Sequence, residues 1–215
     1  MSKIVLFDLD GTLLDTLDDL HDAVNYALEK WGLHTCTRAQ VRDYIGNGIV
    51  KLMERAVGGA LPASDLPAVV ADFKGYYGAH CQDKTAPYDG VMDVLTALKA
   101  RGVKIGVVSN KADFAVKQLC EGYFAGLVDV AIGENEEGGV KKKPAPDTIF
   151  AAVETLGGRL EDTVYVGDSE VDIQTAANAN IPCISVCWGM KDRAFLVENG
   201  AKVLVEYPVN LLKFL

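Results

Sequence analysis

Two aspartates, Asp8 and Asp10, stand one residue apart where the apolar run Ile4-Val5-Leu6-Phe7 ends, and Gly11-Thr12-Leu13 follows them. The C-terminal edge of a parallel sheet is where such folds bind ligands, so a carboxylate pair at that position marks a candidate site. In a fully extended chain the two side chains would point to opposite faces. Gly11 permits a turn that brings both to one place. Turn formation and capping are the plain alternative for Asp and Gly, but charged groups are rarely buried beside a strand without partners.

Three further segments have the same character. Ser109-Asn110 ends the run Val107-Val108 in two small polar groups able to donate to phosphate oxygens, and a helix start behind them adds free N–H groups. Lys143 precedes Pro144-Ala145-Pro146, an ammonium ahead of a proline-marked helix start. Val166-Gly167-Asp168-Ser169-Glu170-Val171-Asp172 places one carboxylate at a strand tip and a second on the first turn of a helix. Each segment alone has an ordinary reading, as a helix cap or a solvated lysine. Their recurrence on the expected same edge of one sheet does not.

The elements that must position these residues alternate. Apolar runs suited to strands buried on both faces lie at 3–8, 103–108, 128–132, 163–166, 182–186 and 202–205. Between them fall helical patterns: a face of Val91, Leu95 and Leu98 with Asp89 as N-cap and Gly102 as stop, and further helices over 112–121, 146–157 and 170–179. Strand alternating with helix predicts a parallel sheet covered on both faces. Residues 16–84 break the pattern with helix signals alone. Leu17, Leu20, Val24, Leu28 and Trp31 form a stripe, and three more helices are expected over 38–45, 49–57 and 65–77, punctuated by Gly46-Asn47-Gly48 and Gly58-Gly59. A four-helix insertion after the first strand follows.

The chain has 215 residues with 21 Lys plus Arg against 30 Asp plus Glu, a net charge of −9. That balance offers no basic surface to nucleic acid or to an anionic membrane, and a phosphate ester would need a local cation. No run reaches the ~18 apolar residues of a membrane span, and no signal-peptide core is visible. The five scattered cysteines, Cys36, Cys81, Cys120, Cys183 and Cys187, read as reduced thiols of a cytoplasmic protein. His21, His34 and His80 are widely spaced and receive no metal or acid–base role.

The order Asp-x-Asp-Gly-Thr, Ser-Asn, Lys-Pro-x-Pro and Gly-Asp-Ser-x-x-x-Asp resembles the four motifs of the haloacid dehalogenase superfamily over essentially the whole chain. The resemblance implies an α/β fold, a Rossmann-like three-layer parallel-sheet core of residues 1–15 and 86–215, with residues 16–85 inserted as an α-helical cap. An acid at Asp10 points to the phosphatase and phosphomutase branches. It further implies Asp8 as covalent nucleophile, Asp10 as acid and then base, and Lys143 as the balancing cation. Gly11, Thr12, Ser109, Asn110 and Lys143 would hold the substrate phosphate. Mg²⁺ would be held by Asp8, the Asp10 carbonyl and Asp168, with Asp172 direct or through water.

Within the superfamily the stretches 41–48, 87–91 and 108–111 resemble bacterial phosphoglycolate phosphatases, which implies 2-phosphoglycolate as substrate. A β-phosphoglucomutase-like phosphotransferase and a pyrophosphatase or nucleotidase are the alternatives. The acidic run Glu134-Asn135-Glu136-Glu137-Gly138-Gly139 departs from the expected pattern. In the cap, Arg42, Lys51 and Arg55 are the basic candidates for a substrate carboxylate. The expected partner is a small phosphorylated metabolite, and the expected state a monomer or homodimer.

Overall fold

The computed structural model describes residues 4–135 and 139–215, so Glu136, Glu137 and Gly138 of the acidic run lie outside the described residues. In chain order, β1 (Ile4–Phe7) is four apolar residues buried on both faces, and β2 (Leu14–Asp15) follows it after the turn at Gly11, whose φ is 87°. The turn is closed by backbone bonds from Thr12, Leu13 and Leu14 N–H to the Leu9 carbonyl.

Four helices come next. In α1 (Leu17–Lys30) the buried stripe of Leu17, Leu20, Val24 and Leu28 falls as the spacing predicts, with Asp18 and Asp19 in the first turn and Lys30 in the last to complement the helix dipole. α2 (Arg38–Tyr44) opens with a capping box between Thr37 and Gln40. α3 (Ile49–Val57) ends at Gly58 in the left-handed conformation, and α4 (Leu66–His80) carries Pro67 in its first turn, where no intrahelical donor is lost. The chain divides into two compact units, Thr16–Ala86 and the remainder.

β3 (Ala86–Pro87) pairs with β2 in a small ribbon of their own. Then follow α5 (Val91–Ala100), β4 (Lys104–Ala112), α6 (Asp113–Phe124), β5 (Val130–Glu134), α7 (Asp147–Thr155), β6 (Thr163–Gly167), α8 (Glu170–Asn178), β7 (Cys183–Val186), α9 (Arg193–Glu198) and β8 (Leu204–Val205). Six of the strands form one sheet in the order β5-β4-β1-β6-β7-β8, every neighbour parallel. Alternate side chains of β1 build the two core layers. Ile4 and Leu6 pack with Val108 and Tyr165 against Ile149 and Val153 of α7 and Ala176 of α8. Phe7 faces the other way, with Val91, Val94 and Leu95 of α5 and Leu211. This is the three-layer α/β architecture that the alternation predicts.

Two local expectations are corrected. The N-cap of α5 is Gly90 (φ 85°), one residue later than Asp89. β4 does not stop at Val108: it runs on to Ala112, so Ser109 and Asn110 are strand residues and α6 starts only at Asp113. The pairing of β4 with β5 shifts register between Val108 and Ala112. Gly133 makes the close approach possible, because a Cβ there would stand 2.7 Å from the Lys111 carbonyl oxygen and 2.4 Å from Asp113 Cα.

Within the helical unit, the buried carboxylate of Asp19 accepts the main-chain N–H of Lys84 at 3.0 and 3.1 Å and that of Thr85 at 2.9 Å, fastening the start of α1 to the segment that leaves α4. Asp19→Ala strands those donors. The expected loss is about 1–3 kcal/mol of stability, read as a lower denaturation midpoint at unchanged m-value.

Candidate active site

The tips of β1, β4 and β6 lie side by side, and their polar residues converge there with Lys143. Asp8 continues β1 by one residue, donating its N–H to the Val166 carbonyl at 2.9 Å. Ligand oxygens of Asp8, Asp168 and Asp172, all buried, lie within 4.8 Å of one another. Lys143 Nζ stands 2.7 Å from Asp172 Oδ1 and 2.9 Å from Asp8 Oδ1. The Asp8 contact is a buried ion pair, and beyond it Asp8 Oδ1 has no hydrogen-bonding partner.

Each group is held from behind. Lys143 is gripped through its backbone: its N–H donates to Asn110 Oδ1 at 2.7 Å, and Asn110 Nδ2 donates to its carbonyl at 2.9 Å. The side chain offered to phosphate on sequence grounds is thus turned onto the main chain of Lys143. Asp172 sits in a capping box, its Oδ2 accepting from Ser169 Oγ at 2.6 Å and Ser169 N–H at 3.1 Å. Asp168 Oδ2 accepts the Met190 N–H at 2.6 Å, and Thr12 Oγ1 lies 3.4 Å from Asp168 Oδ1. Glycine is required on both sides of that carboxylate. A Cβ on Gly11 would come within 2.3 Å of Asp168 Oδ2, and one on Gly189 within 2.4 Å of it. Ser109 is buried beside them, its Oγ 3.3 Å from the Lys111 N–H.

Asp10 does not join the three-carboxylate cluster. Its two oxygens face Lys111 Nζ at 2.8 and 3.1 Å, and that lysine is buried too. The fold thus supplies Asp10 with an ammonium of its own.

The electrostatics are lopsided. Burial pushes the Asp8 carboxyl up to about 7, with Asp172 and Asp10 adding to the rise and Lys143 opposing it. Burial, then Asp172 and Asp8, hold Asp168 well above the carboxylate range against the pull of the Met190 N–H and Lys143. Burial disfavours the charge on Lys143, but Asp172 and Asp8 outweigh it and keep the ammonium above its ordinary value. Three clustered buried carboxylates, of which the Lys143 ammonium pairs with two, suit a hard divalent cation. The cysteines take no part: burial pushes the Cys120 and Cys183 thiols up to about 12.

Sequence reading gave no role to Lys111, to the segment Trp188-Gly189-Met190 or to Tyr165. Lys111 adjoins Ser109-Asn110, but a single lysine ordinarily reads as solvated. Trp188 Nε1 donates to the Thr12 carbonyl at 3.0 Å, while Gly189 and Met190 act through the backbone, which leaves no residue-type signal. In the separate helical unit, the Arg55 guanidinium is spent on the Tyr44 carbonyl and Asn47 Oδ1, both at 2.8 Å, and Lys51 pairs with Glu54. These two candidates for a substrate carboxylate are therefore engaged within their own unit.

Residues 5–186 match the sequence model of the haloacid dehalogenase-like hydrolases. A phosphoglycolate phosphatase of Caulobacter vibrioides is 35% identical over 214 residues, covering 97% of this chain and 89% of the relative. One of Thiobacillus denitrificans is 33% identical over 195 residues, covering 87% and 84%. The crystal structure of a protein from Lactobacillus delbrueckii subsp. bulgaricus superposes with a TM-score of 0.94 at 38% identity, covering 100% of this chain and 98% of that one. With four motifs meeting at one sheet edge and the match spanning the sheet from β1 to β7, the chain belongs to the haloacid dehalogenase-like hydrolase family.

Proposed function

We propose that the protein is a magnesium-dependent phosphatase that hydrolyses a small phosphate monoester, 2-phosphoglycolate foremost, by way of a phosphoryl group carried on Asp8. The observation that carries the reading is the buried Asp8 carboxylate at the tip of β1, 2.9 Å from the Lys143 ammonium and beside Asp168 and Asp172. A carboxylate so placed can serve as a covalent nucleophile while the ammonium beside it offsets the charge of an incoming phosphoryl group. The choice of substrate rests on the relatives named phosphoglycolate phosphatase.

In the first half-reaction, an Asp8 oxygen attacks phosphorus, the bond from phosphorus to the ester oxygen breaks, and Asp10 gives the departing oxygen its proton. In the second, Asp10 takes a proton from water, the water oxygen attacks phosphorus, and the Asp8 carboxylate leaves with release of inorganic phosphate. The Lys111 ammonium, 2.8 Å from Asp10 Oδ1, holds the Asp10 carboxyl in place for both halves. Lys143 places positive charge beside both the nucleophile and the transferring group. Ser109, Thr12 and the backbone at Gly11 and Asn110 complete the phosphate seat. Asp8, Asp168 and the Asp10 carbonyl would hold magnesium, with Asp172 behind them through water, since both of its oxygens are already bonded. When bound, the ion supplies the positive charge that three carboxylates and a phosphate dianion lack.

The test is phosphate release from a panel of small esters with Mg²⁺ present. Phosphoglycolate is expected to lead the panel in kcat/KM by about tenfold or more, a margin worth ~1.4 kcal/mol of transition-state binding. Equal rates across the panel would remove the substrate assignment, and no release from any ester would remove the phosphatase reading.

Asp8→Asn keeps the shape of the side chain without the ionised oxygen. Its kcat is expected to fall by at least about 10³-fold, as for loss of a nucleophile, with an unchanged circular dichroism spectrum. Stripping divalent cations with a chelator is expected to stop turnover, and Mg²⁺ to restore it where Ca²⁺ does not, because Ca²⁺ takes more and longer oxygen contacts. Full activity in excess chelator would contradict the metal assignment.

A further inference from the structure

Tyr165 lies in the middle of β6, fully buried, its ring in the apolar layer formed by Ile4, Val108, Ile149 and Ala176. Nothing in that layer asks for a hydroxyl. Yet the hydroxyl reaches the upper edge of the layer and meets three groups, each at 3.1 Å: Lys143 Nζ, Asp172 Oδ1 and the Val108 carbonyl.

The valences of these atoms leave little choice. An ammonium has three donors and no acceptor, so toward Lys143 the phenol oxygen can only accept. Its single proton then goes to Asp172 or to Val108. The ammonium thus has two fixed acceptors, Asp172 Oδ1 at 2.7 Å and the Tyr165 oxygen, and these set its rotation about the Cε–Nζ bond. The ammonium is thereby held as an ion pair with Asp8 Oδ1, at 2.9 Å. With Asp172 alone, the ammonium would be free to turn about that one contact.

We propose that Tyr165 is a positioning residue, whose hydroxyl fixes the Lys143 ammonium so that its charge is held against Asp8 and the phosphoryl group it receives. The kinetic part of this rests on the phosphatase reading above; the geometric part does not. The role belongs to the oxygen alone. The ring, whose centroid lies 5.7 Å from Nζ, is retained when phenylalanine replaces tyrosine.

The test uses Tyr165→Phe in the full-length protein, with two readouts. In steady-state hydrolysis, kcat is expected to fall by about 10- to 100-fold through misaimed charge, with KM held within about twofold. In ¹⁵N-detected spectra of the lysine ammonium groups, without substrate, the wild-type Lys143 signal, identified by its loss in Lys143→Met, is expected to be protected from exchange with water. In Tyr165→Phe it should exchange faster. If the wild type hydrolyses esters but Tyr165→Phe has the same kcat, or if its Lys143 signal is unmoved, the proposal is overturned while the phosphatase reading stands. If no ester is hydrolysed by the wild type but the signal responds, the phosphatase reading falls and the positioning role remains.

Discussion

A carboxylate removed from water needs a positive partner, and here three of them, Asp8, Asp168 and Asp172, crowd together in a buried space where the Lys143 ammonium pairs with Asp8 and Asp172 alone. An unbalanced cluster of this kind persists only if the surrounding chain holds every member in place. The supports are correspondingly dense: Asn110 on the Lys143 backbone, Ser169 on Asp172, Met190 N–H on Asp168, and a glycine on either side of Asp168. The supports come from four loops or strand ends. The parallel sheet contributes by bringing those ends to one edge. The same imbalance makes the site receptive to a cation and keeps an Asp8 oxygen without a hydrogen-bonding partner.

How much of this was legible in the sequence depends on which part of a residue does the work. Where side-chain type and spacing act, the reading is direct. Alternating apolar runs gave the sheet and its two helical layers, the stripe from Leu17 to Leu28 gave α1, and four polar clusters at strand ends gave Asp8, Lys143, Asp168 and Asp172 as neighbours. Where the backbone acts, the sequence is silent. Met190 contributes an N–H, which any non-proline residue has, and Gly133 and Gly189 contribute the absence of a Cβ that only three-dimensional proximity makes necessary. Ser109 and Asn110 show a third case. A good capping pair suggested a helix start, but pairing with β5 keeps the chain extended as far as Ala112 and sends the Asn110 amide to Lys143. Tyr165 was hidden for a simpler reason: in an apolar strand an aromatic residue reads as packing, and its one polar atom carries no periodicity.

The placement of β1 has a consequence for how the protein assembles. Its partners in the sheet begin at Lys104 on one side and Thr163 on the other, about 100 and 160 residues further along the chain. The helices of Thr16–Ala86, by contrast, are complete within their own stretch. Contacts between residues close in sequence form before those that close long loops. During synthesis, Asp8 is therefore the first residue of the cluster to be made, and it waits on an unpaired apolar strand until β4 and then β6 arrive. In that interval Ile4 to Phe7 is an unpaired apolar strand, the kind of segment open to wrong pairing until its partners are made.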